Sequence, residues 1–565
     1  MKNPTSKLFF ELIQVAIGNR SALSSVPSQQ EWQRLYGLMS KHTLIGIGYV
    51  AIQKLPQEQW PPKTLVLQWT SVANGIRNCN IALNEECRSI CEEFTHDGVE
   101  SVVIKGQSNL EYYPEALRDY RTPGDIDLWC QARNGVEIGE MVNGDVVKSE
   151  YHGMAGVIEY CKQYERSRGR SIPWHRVLYY HCELKSDNGI AIEPHYRISY
   201  LHSPIRNHRL QKWFNNQFDV CLKNKCQLGF PVLTSSVNVV YQLVHLYRHI
   251  FENGIGLRQL MDYYFALRVW HNDVMECKDL QSQGMWSEGL GTPVMSATEI
   301  MAVLRSFGMG KFAGAVMWVL QEAFENEACR MKKQRSATEG KANEECSDAD
   351  EVGEQQLPAI GQQLKEIGPQ ADSKGRQQEQ HKTTLGPQAD GRSERELPRI
   401  NRELKEIGPQ ADEDGEQQLT DTAKLMSTYE ISNERIIGQQ LKEICPQSDD
   451  RSERECPQIY SHIANIKKSS SSSASFREFK KNIFVPWMIC EPNEKEGRKL
   501  LAEIMQGGNF GQYDTRDAEL KKGGMVKHGV WKLKRVMRLV SSYPEEALWE
   551  PVFRVYHLFW RMIHC

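Results

Sequence analysis

One long segment of this chain has too few apolar residues to form a hydrophobic core, and this limits where in the sequence a folded domain can lie. Residues 331–475 contain two aromatic side chains, Tyr429 and Tyr460, and are dominated by Gln, Glu, Lys, Asp and Ser. Such a composition buries too little apolar area to offset the entropy of ordering the chain. The segment is predicted to be a disordered insert, so the folded parts must come from the residues on either side.

The insert also carries an imperfect repeat. Units related to LKEIGPQAD occur at 364–372, 385–390, 404–412 and 441–449. Solenoid units share enough apolar positions to bury a common core, whereas these offer little beyond a Leu and an Ile. Repeat expansion within a loop is the better interpretation, and the serine run 469–473 closes the segment like a flexible linker.

The remaining sequence divides by the period of its apolar residues. Regions 1–98, 231–330 and 476–565 carry apolar residues three and four apart, which predicts helices. Region 99–230 instead carries short β-branched and aromatic runs separated by turns. The predicted fold class is therefore α+β, with a small mixed sheet flanked by helical regions and interrupted by the long disordered repeat insert.

The composition indicates the cellular compartment of the protein more clearly than it indicates an activity. A net charge of -3 gives no global attraction to nucleic acid, so any polyanion site would have to be local. The chain has no apolar run of about 18 residues, which predicts that it has no membrane span. Its 15 Cys are odd in number, scattered and without a CxxC pair, which argues against a disulfide framework or a zinc ribbon and predicts a cytoplasmic protein.

The C-terminal region is aromatic, basic and helical in period from Trp531 to Arg561. We expect it to cap the folded core, because an aromatic stripe at helical spacing usually packs. A helix on a membrane surface and a polyanion-binding helix are the alternatives.

The stretch GDIDLWC carries the clearest chemical signal. In a strand, residues two apart share a face, so Asp125 and Asp127 would present two carboxylates together while Ile126 and Leu128 face the core. Two adjacent like charges need a cation between them. Mg²⁺ or Mn²⁺ fits best, because hard cations prefer carboxylate oxygens and bridge to substrate phosphates.

A turn before this strand predicts a phosphate site. The run VVIKG ends a predicted strand at Gly106 and leads into a short helix broken near Pro114. Free N–H groups at a helix start favour phosphate. Lys105, Ser108, Arg118 and Arg121 could add charge or hydrogen bonds there.

A third carboxylate is expected on a neighbouring strand. The runs RVLYYHCELK and GIAIEPHYRI flank SDNG, which predicts an antiparallel hairpin. On its second strand Glu193 would complete a metal site or take the proton from the attacking hydroxyl. His195 shares the face of Glu193 and could support it, or could be a structural histidine.

These motifs together resemble the family of uncharacterised nucleotidyltransferases within the DNA polymerase beta-like superfamily. The residues that carry the resemblance are Lys105-Gly106, Tyr113-Pro114, Arg118 or Arg121, Asp125-Ile126-Asp127, Glu193-Pro194-His195, His245, Gly256 to Leu260, Asp262, and Gly508-Asn509-Phe510-Gly511. The chain departs from the wider superfamily at two positions. Lys105-Gly106-Gln107 stands where Gly-Ser or Gly-Gly is usual, and Glu193 stands where Asp is commoner.

The resemblance implies a nucleotidyltransferase core with its helices around the small sheet, and a metal-dependent transfer of a nucleoside monophosphate from an NTP. Asp125, Asp127 and Glu193 would bind the metal, and Lys105, Gly106, Ser108 and Arg121 would bind the nucleotide. The acceptor hydroxyl could belong to a small molecule, a sugar, a protein or an RNA. The alternatives are a DxD metal-dependent glycosyltransferase and a binding protein that keeps the fold without turnover.

Overall fold

The computed structural model describes residues 4–142, 145–282, 294–325, 488–516, 519 and 524–564. The predicted insert 331–475 and its repeats lie outside the described residues. The described residues belong to one compact unit. None of their helices combines the length and the apolar character needed to cross a membrane.

The N-terminal region is helical, as predicted. Its helices are α1 (Pro4–Ala16), α2 (Gln29–Lys41), α3 (Ile45–Lys54) and α4 (Lys63–His96). Ser28 and Glu31 form a capping box at the start of α2, where each side chain accepts from the other residue's backbone N–H. The long α4 ends just before Gly98, whose φ of 88° takes the left-handed turn that glycine adopts most readily.

A four-stranded mixed sheet follows α4 and confirms the predicted fold class. Its strands are β1 (Glu100–Val103), β2 (Ile126–Gln131), β5 (Leu184–Lys185) and β6 (Ala191–His195), in the order β1-β2-β6-β5. β2 runs antiparallel to β1 and parallel to β6. A 3₁₀ helix (Gly106–Tyr112) and a short helix α5 (Glu115–Arg118) connect β1 to β2, with the predicted break at Pro114.

The predicted hairpin is present, although its strands are shorter than expected. β5 pairs with β6 in antiparallel fashion, and Gly189 takes a positive φ of 79° in the turn between them. The sequence did not predict the separate ribbon formed by β3 (Val136–Val142) and β4 (Asp145–Tyr151), nor α6 (Gly153–Ser167). Both lie in the stretch between β2 and the hairpin.

Helices make up the rest of the described chain. They are α7 (Pro204–Asn215), α8 (Phe218–Lys223), α9 (Ser235–Glu252), α10 (Leu257–Ser282), α11 (Ala297–Ser306), α12 (Gly310–Phe324), α13 (Glu494–Gly507), α14 (Met525–Leu539) and α15 (Pro544–His564). From Ser236 to Phe251, α9 is buried on all sides. A helix buried all round is a central element.

The sheet separates two hydrophobic clusters. Ile126 and Leu128 of β2 face the cluster that includes α6 and the hairpin. Trp129 faces the opposite cluster, which contains α9, α10 and the N-terminal helices. Because side chains alternate along a strand, Asp127 lies on the same face as Trp129 and points toward the helical cluster.

α12 and α13 lie side by side at two glycines. The backbone N–H of Asn493 donates to the carbonyl of Gly314 at 2.8 Å. A Cβ at Gly497 would lie 2.5 Å from the Trp318 side chain, so only glycine allows this approach. From the first contact to the second, the position moves four residues toward the C-terminus in both helices, so the two helices run parallel.

The C-terminal helix α15 caps the core with one face. Ala547, Phe553 and Trp560 are buried, which confirms the expected packing for that side. The opposite face is apolar and exposed. Its residues are Leu548, Trp549, Val552, Val555, Tyr556, Leu558, Phe559, Met562 and Ile563.

Candidate functional site

The predicted carboxylates meet where β2 begins. Asp125 directly precedes β2, Asp127 is its second residue, and the parallel register sets Asp127 beside Glu193 of β6. Each of the three side chains offers an oxygen within 4.8 Å of the others. The sequence therefore identified three acidic groups that the fold brings together from two neighbouring strands.

The three carboxylates differ in their access to solvent. The side chain of Asp127 is fully buried and that of Glu193 is 8% exposed, whereas that of Asp125 is 35% exposed. The Oδ2 atom of Asp127 is buried and has no hydrogen-bond partner. Such an atom is rare in a folded protein and indicates room for a ligand. An ion or phosphate would enter from the side of Asp125.

Lys105 lies against the aspartates. Its ammonium is 2.9 Å from Oδ1 of Asp127 and 3.6 Å from Oδ2 of Asp125. Burial lowers the pKa of Lys105, but the carboxylates of Asp125 and Asp127 outweigh it and hold that pKa well above its ordinary value. The sequence placed Lys105 at a phosphate, and the structure adds a direct contact with both proposed metal ligands.

The same crowding of charge acts on Asp125. Burial raises the pKa of its carboxyl group, the neighbouring charge of Asp127 raises it further, and Lys105 opposes both, which leaves the pKa at about 7. Three carboxylates with one ammonium leave excess negative charge in a largely buried cluster. The cluster therefore favours a divalent cation.

Two histidines complete the acidic cluster. Nε2 of His195 lies 3.0 Å from Oδ1 of Asp127 and 3.4 Å from Oε2 of Glu193. Nε2 of His181 lies 3.8 Å from Oε1 of Glu193. Burial lowers the pKa of His181 to about 3, although Glu193 opposes the shift, so this imidazole is neutral at neutral pH.

Sequence reasoning missed His181, although the predicted turn contained the signal. A hairpin centred on Asn188 pairs residues at equal distances before and after it. His181 and His195 are each seven residues from Asn188, and the structure joins them by an isolated antiparallel bridge. Extending the hairpin register outward would have found this pair.

The predicted phosphate turn is formed. Gly106 starts the 3₁₀ helix with a φ of 66°, and a Cβ there would lie 3.5 Å from the backbone oxygen of Asp125. Ser108 is buried within the helix, and its hydroxyl has no hydrogen-bond partner. The turn therefore adjoins the first aspartate, and nucleotide binding by Gly106 and Ser108 stays a prediction.

Arg121 has a different environment from the one expected. Its guanidinium forms two hydrogen bonds of 2.7 Å with the carboxylate of Asp262 on α10. The hydroxyl of Tyr113 donates to the same carboxylate at 2.6 Å. All three residues are buried. The guanidinium is thus committed to a closed ion pair that holds the loop before β2 against α10.

The buried helix α9 brings further polar groups near the acidic cluster. Burial lowers the pKa of His245 well below its ordinary value, and the charges of Lys105 and Arg248 act in the same direction. The Arg248 guanidinium lies 4.3 Å from the ring centroid of Tyr180. Its Nε and Nη1 atoms are buried without hydrogen-bond partners. His245 belongs to the predicted resemblance, whereas no pattern in the sequence indicated Arg248.

Comparison with known proteins finds one family. Residues 28–285 match the family described as uncharacterised nucleotidyltransferases, which confirms the resemblance inferred from the motifs. Gly508 to Gly511, which the resemblance also included, lies outside the matched residues. No curated protein and no solved structure matches the chain.

Proposed function

We propose, from the premise that residues 28–285 belong to the nucleotidyltransferase family, that the chain moves a nucleoside monophosphate from an NTP to an acceptor hydroxyl. One observation carries this proposal. The carboxylates of Asp125, Asp127 and Glu193 converge at the start of β2, and an oxygen of Asp127 is buried without a hydrogen-bond partner.

The donor set suits a hard divalent cation. Three carboxylates offer oxygen ligands, which Mg²⁺ and Mn²⁺ prefer. Asp127 and Glu193 are fixed by adjacent strands, so little ordering would accompany binding. A divalent ion bound there would neutralise charge on the reacting phosphate and favour in-line attack at the α-phosphorus with pyrophosphate as leaving group.

The chain's own residues would position the substrate. Lys105 holds a positive charge beside both aspartates, where it can also contact the triphosphate. The turn at Gly106 and Ser108 would supply N–H and hydroxyl groups to the phosphates. Arg121 acts through its ion pair with Asp262, which holds the segment leading into Asp125. Such chemistry is mainly positioning and charge neutralisation.

The other candidates have less support. A DxD glycosyltransferase would use the same aspartates, but the family match favours nucleotidyl transfer. A binding protein without turnover would keep the fold and could bind NTP while releasing no pyrophosphate. Binding and turnover must therefore be measured separately.

The experiment uses the purified full chain. Each of the four NTPs is titrated calorimetrically with Mg²⁺, and pyrophosphate release is then measured with fractionated cell extract as the source of acceptor. Asp125→Asn is compared with Asp119→Asn, since Asp119 is a half-exposed aspartate just upstream of the site whose carboxylate forms a surface ion pair with Arg77.

We expect Asp125→Asn to lose metal-dependent binding and pyrophosphate release, and Asp119→Asn to keep both. NTP binding without pyrophosphate release in any fraction would support the binding-protein alternative. A well-folded parent chain that binds no NTP would overturn the proposal.

A further inference from the structure

The hairpin that carries Glu193 places a second histidine beside it, and the proposed transfer reaction does not use this residue. β5 and β6 pair Leu184 with Ile192, and the same register continues outward to a bridge between His181 and His195. The two imidazole rings stack with their centroids 4.9 Å apart. Glu193 lies two residues before His195 and shares its face of the strand.

Three of the four ring nitrogens of this pair are buried without a hydrogen-bond partner, and the fourth, Nε2 of His195, contacts Asp127. The side chains of His181 and His195 are each 2% exposed. Neither ring nitrogen of His181 has a hydrogen-bond partner, and neither does Nδ1 of His195. Buried polar atoms in folded proteins are almost always satisfied. The unsatisfied Nε2 of His181 faces the Glu193 carboxylate at 3.8 Å, which indicates that a ligand can bind between them.

We infer that His181, Glu193 and His195 form a second metal site, which shares only Glu193 with the three-carboxylate site, for a divalent transition ion that prefers imidazole nitrogen, such as Zn²⁺. Two imidazoles and one carboxylate form a ligand set that zinc enzymes use, with a remaining position for water or substrate. Glu193 supplies Oε1 toward His181 and Oε2 toward His195.

The distances suit one small ion. Donor atoms at about 2.0–2.1 Å from Zn²⁺ in a tetrahedron lie roughly 3.3 Å from one another. The nearest separations from Glu193 are 3.8 Å to Nε2 of His181 and 3.4 Å to Nε2 of His195, and one donor atom from each of the three side chains lies within 4.8 Å of the others. Small side-chain rotations would bring them to bonding distance. Nδ1 of each imidazole would then carry the proton.

This site and the carboxylate site share Glu193 but differ in chemistry. Asp125, Asp127 and Glu193 offer oxygen atoms alone, whereas the histidine site offers two nitrogens. Hard cations such as Mg²⁺ and Mn²⁺ favour the first set, and Zn²⁺ or Co²⁺ favours the second. The histidine site rests on the hairpin geometry alone and would exist even in a protein without turnover.

The test titrates Co²⁺ into the metal-free full chain and follows its visible absorption. We expect one equivalent with bands typical of four- or five-coordinate cobalt, displaced by Zn²⁺ and retained in excess Mg²⁺. The chain has 15 Cys, so thiolate binding must be separated from imidazole binding. Thiolate ligation produces near-ultraviolet charge-transfer bands, and we expect none from this equivalent.

Two variants separate the metal sites. His181→Gln should weaken Co²⁺ binding by at least about 100-fold, since even outer ligands change metal affinity by 10–100-fold. It should leave Mn²⁺ binding, followed by electron paramagnetic resonance, within a few-fold of the parent. Asp125→Asn should do the reverse. His181→Asn repeats the test, and circular dichroism confirms that each variant is folded.

Several outcomes would overturn the inference. The parent chain could bind no Co²⁺, or the bound ion could show thiolate bands. Mg²⁺ could displace the Co²⁺ and Asp125→Asn abolish its binding. Folded His181→Gln could bind Co²⁺ with the affinity of the parent. Failure of nucleotidyl transfer would be seen separately, as loss of pyrophosphate release with Co²⁺ binding intact.

Discussion

Two buried charge clusters lie on either side of the segment that leads into β2, and they differ in how completely their polar atoms are satisfied. In the first, both oxygens of Asp262 accept from the Arg121 guanidinium, and one also accepts from Tyr113. In the second, which contains Lys105 and the three carboxylates, Asp127 keeps a buried oxygen without a hydrogen-bond partner. A closed cluster fixes architecture, whereas an open one has capacity left for a ligand.

The difference matters because both clusters contain residues that the resemblance marks. Arg121 and Asp262 would be taken for substrate-binding groups from their charge alone. Their mutual geometry leaves little capacity for substrate, so their contribution is to hold the loop before Asp125 in place. Charge and burial therefore do not identify a site unless the hydrogen bonds are also counted.

The largest effect should come from removing one negative charge from the cluster of Lys105 and the three carboxylates. Asp127→Asn keeps the shape of the side chain and removes a metal-binding charge. We expect pyrophosphate release to fall on the order of 10³–10⁴-fold, because a bound metal supplies several kcal/mol to the transition state. Lys105 keeps Asp125 as a partner, so thermal unfolding should change less than in an Asp262 variant. An active Asp127→Asn enzyme would remove the distinction between the clusters.

Breaking the closed cluster should damage folding instead. Asp262→Asn leaves the buried Arg121 guanidinium without a carboxylate, so the free energy of unfolding should fall by about 3–5 kcal/mol in urea denaturation. The triple variant Tyr113→Phe/Arg121→Met/Asp262→Leu should recover most of that loss, because apolar side chains can replace a buried ion pair and no buried hydroxyl is left unpaired. A single variant as stable as the parent would show that the pair is not structural.

A smaller effect should follow from shortening one ligand. Glu193→Asp withdraws the carboxylate by about one methylene from a site whose strand register is fixed. We expect pyrophosphate release to fall by about 10–100-fold, since displacements near 1 Å have effects of this size. Glu183→Asp in the same hairpin, at a half-buried residue, is the matched control. Equal losses in both variants would point to a general weakening of the hairpin.

The smallest effect should be on the pH dependence of stability, through the buried His42. Burial and Lys41 shift the pKa of this histidine, and no carboxylate is among the causes. Burial lowers the pKa of His42 to about 3, and neither ring nitrogen has a hydrogen-bond partner. The His42 imidazole takes up a proton near pH 6.5 in the unfolded chain but only near pH 3 in the folded chain. The contribution of His42 to the free energy of unfolding is therefore fully present above pH 6.5 and is lost as the pH falls toward 3.

His42→Phe should remove this contribution. Between pH 7 and 5.5 the parent should lose about 1 kcal/mol more of its unfolding free energy than the variant, measured by urea denaturation at both values. Identical losses would mean that His42 takes up its proton at the same pH in the folded and unfolded chains. His42 also has unsatisfied nitrogens but packs beside Phe9 in an apolar cluster, so such atoms do not by themselves make a metal site.

The parts of this molecule that the sequence predicted are those set by local patterns. The helices α1 to α4, strands β1 and β2, the Gly106 turn and the hairpin all follow from spacing and turn residues within a few positions. Asp125 and Asp127 were predicted to lie together because residues two apart share a strand face, and Glu193 was predicted to join them from a neighbouring strand.

The remaining features depend on contacts between distant residues. Arg121 looked like a phosphate ligand because its partner, Asp262, is 141 residues away along the chain. Lys105 could be assigned a charge but not its position between two aspartates. The β3–β4 ribbon is an exception, because its signal is local: the sequence Asn143-Gly144, typical of two-residue hairpins, stands between Val142 and Asp145, and we overlooked it.

The parallel packing of α12 and α13 has a consequence for how this gene can change. The chain leaves α12 at Phe324 and re-enters beside Gly314, roughly 15 Å back along the helix axis. About five extended residues would span that distance. For a connection as unstructured as its composition predicts, each doubling beyond that length adds only about 0.6 kcal/mol to the free energy of loop closure. Duplication or loss of repeat units between these helices is therefore nearly neutral for the fold, and natural variation in length should concentrate there.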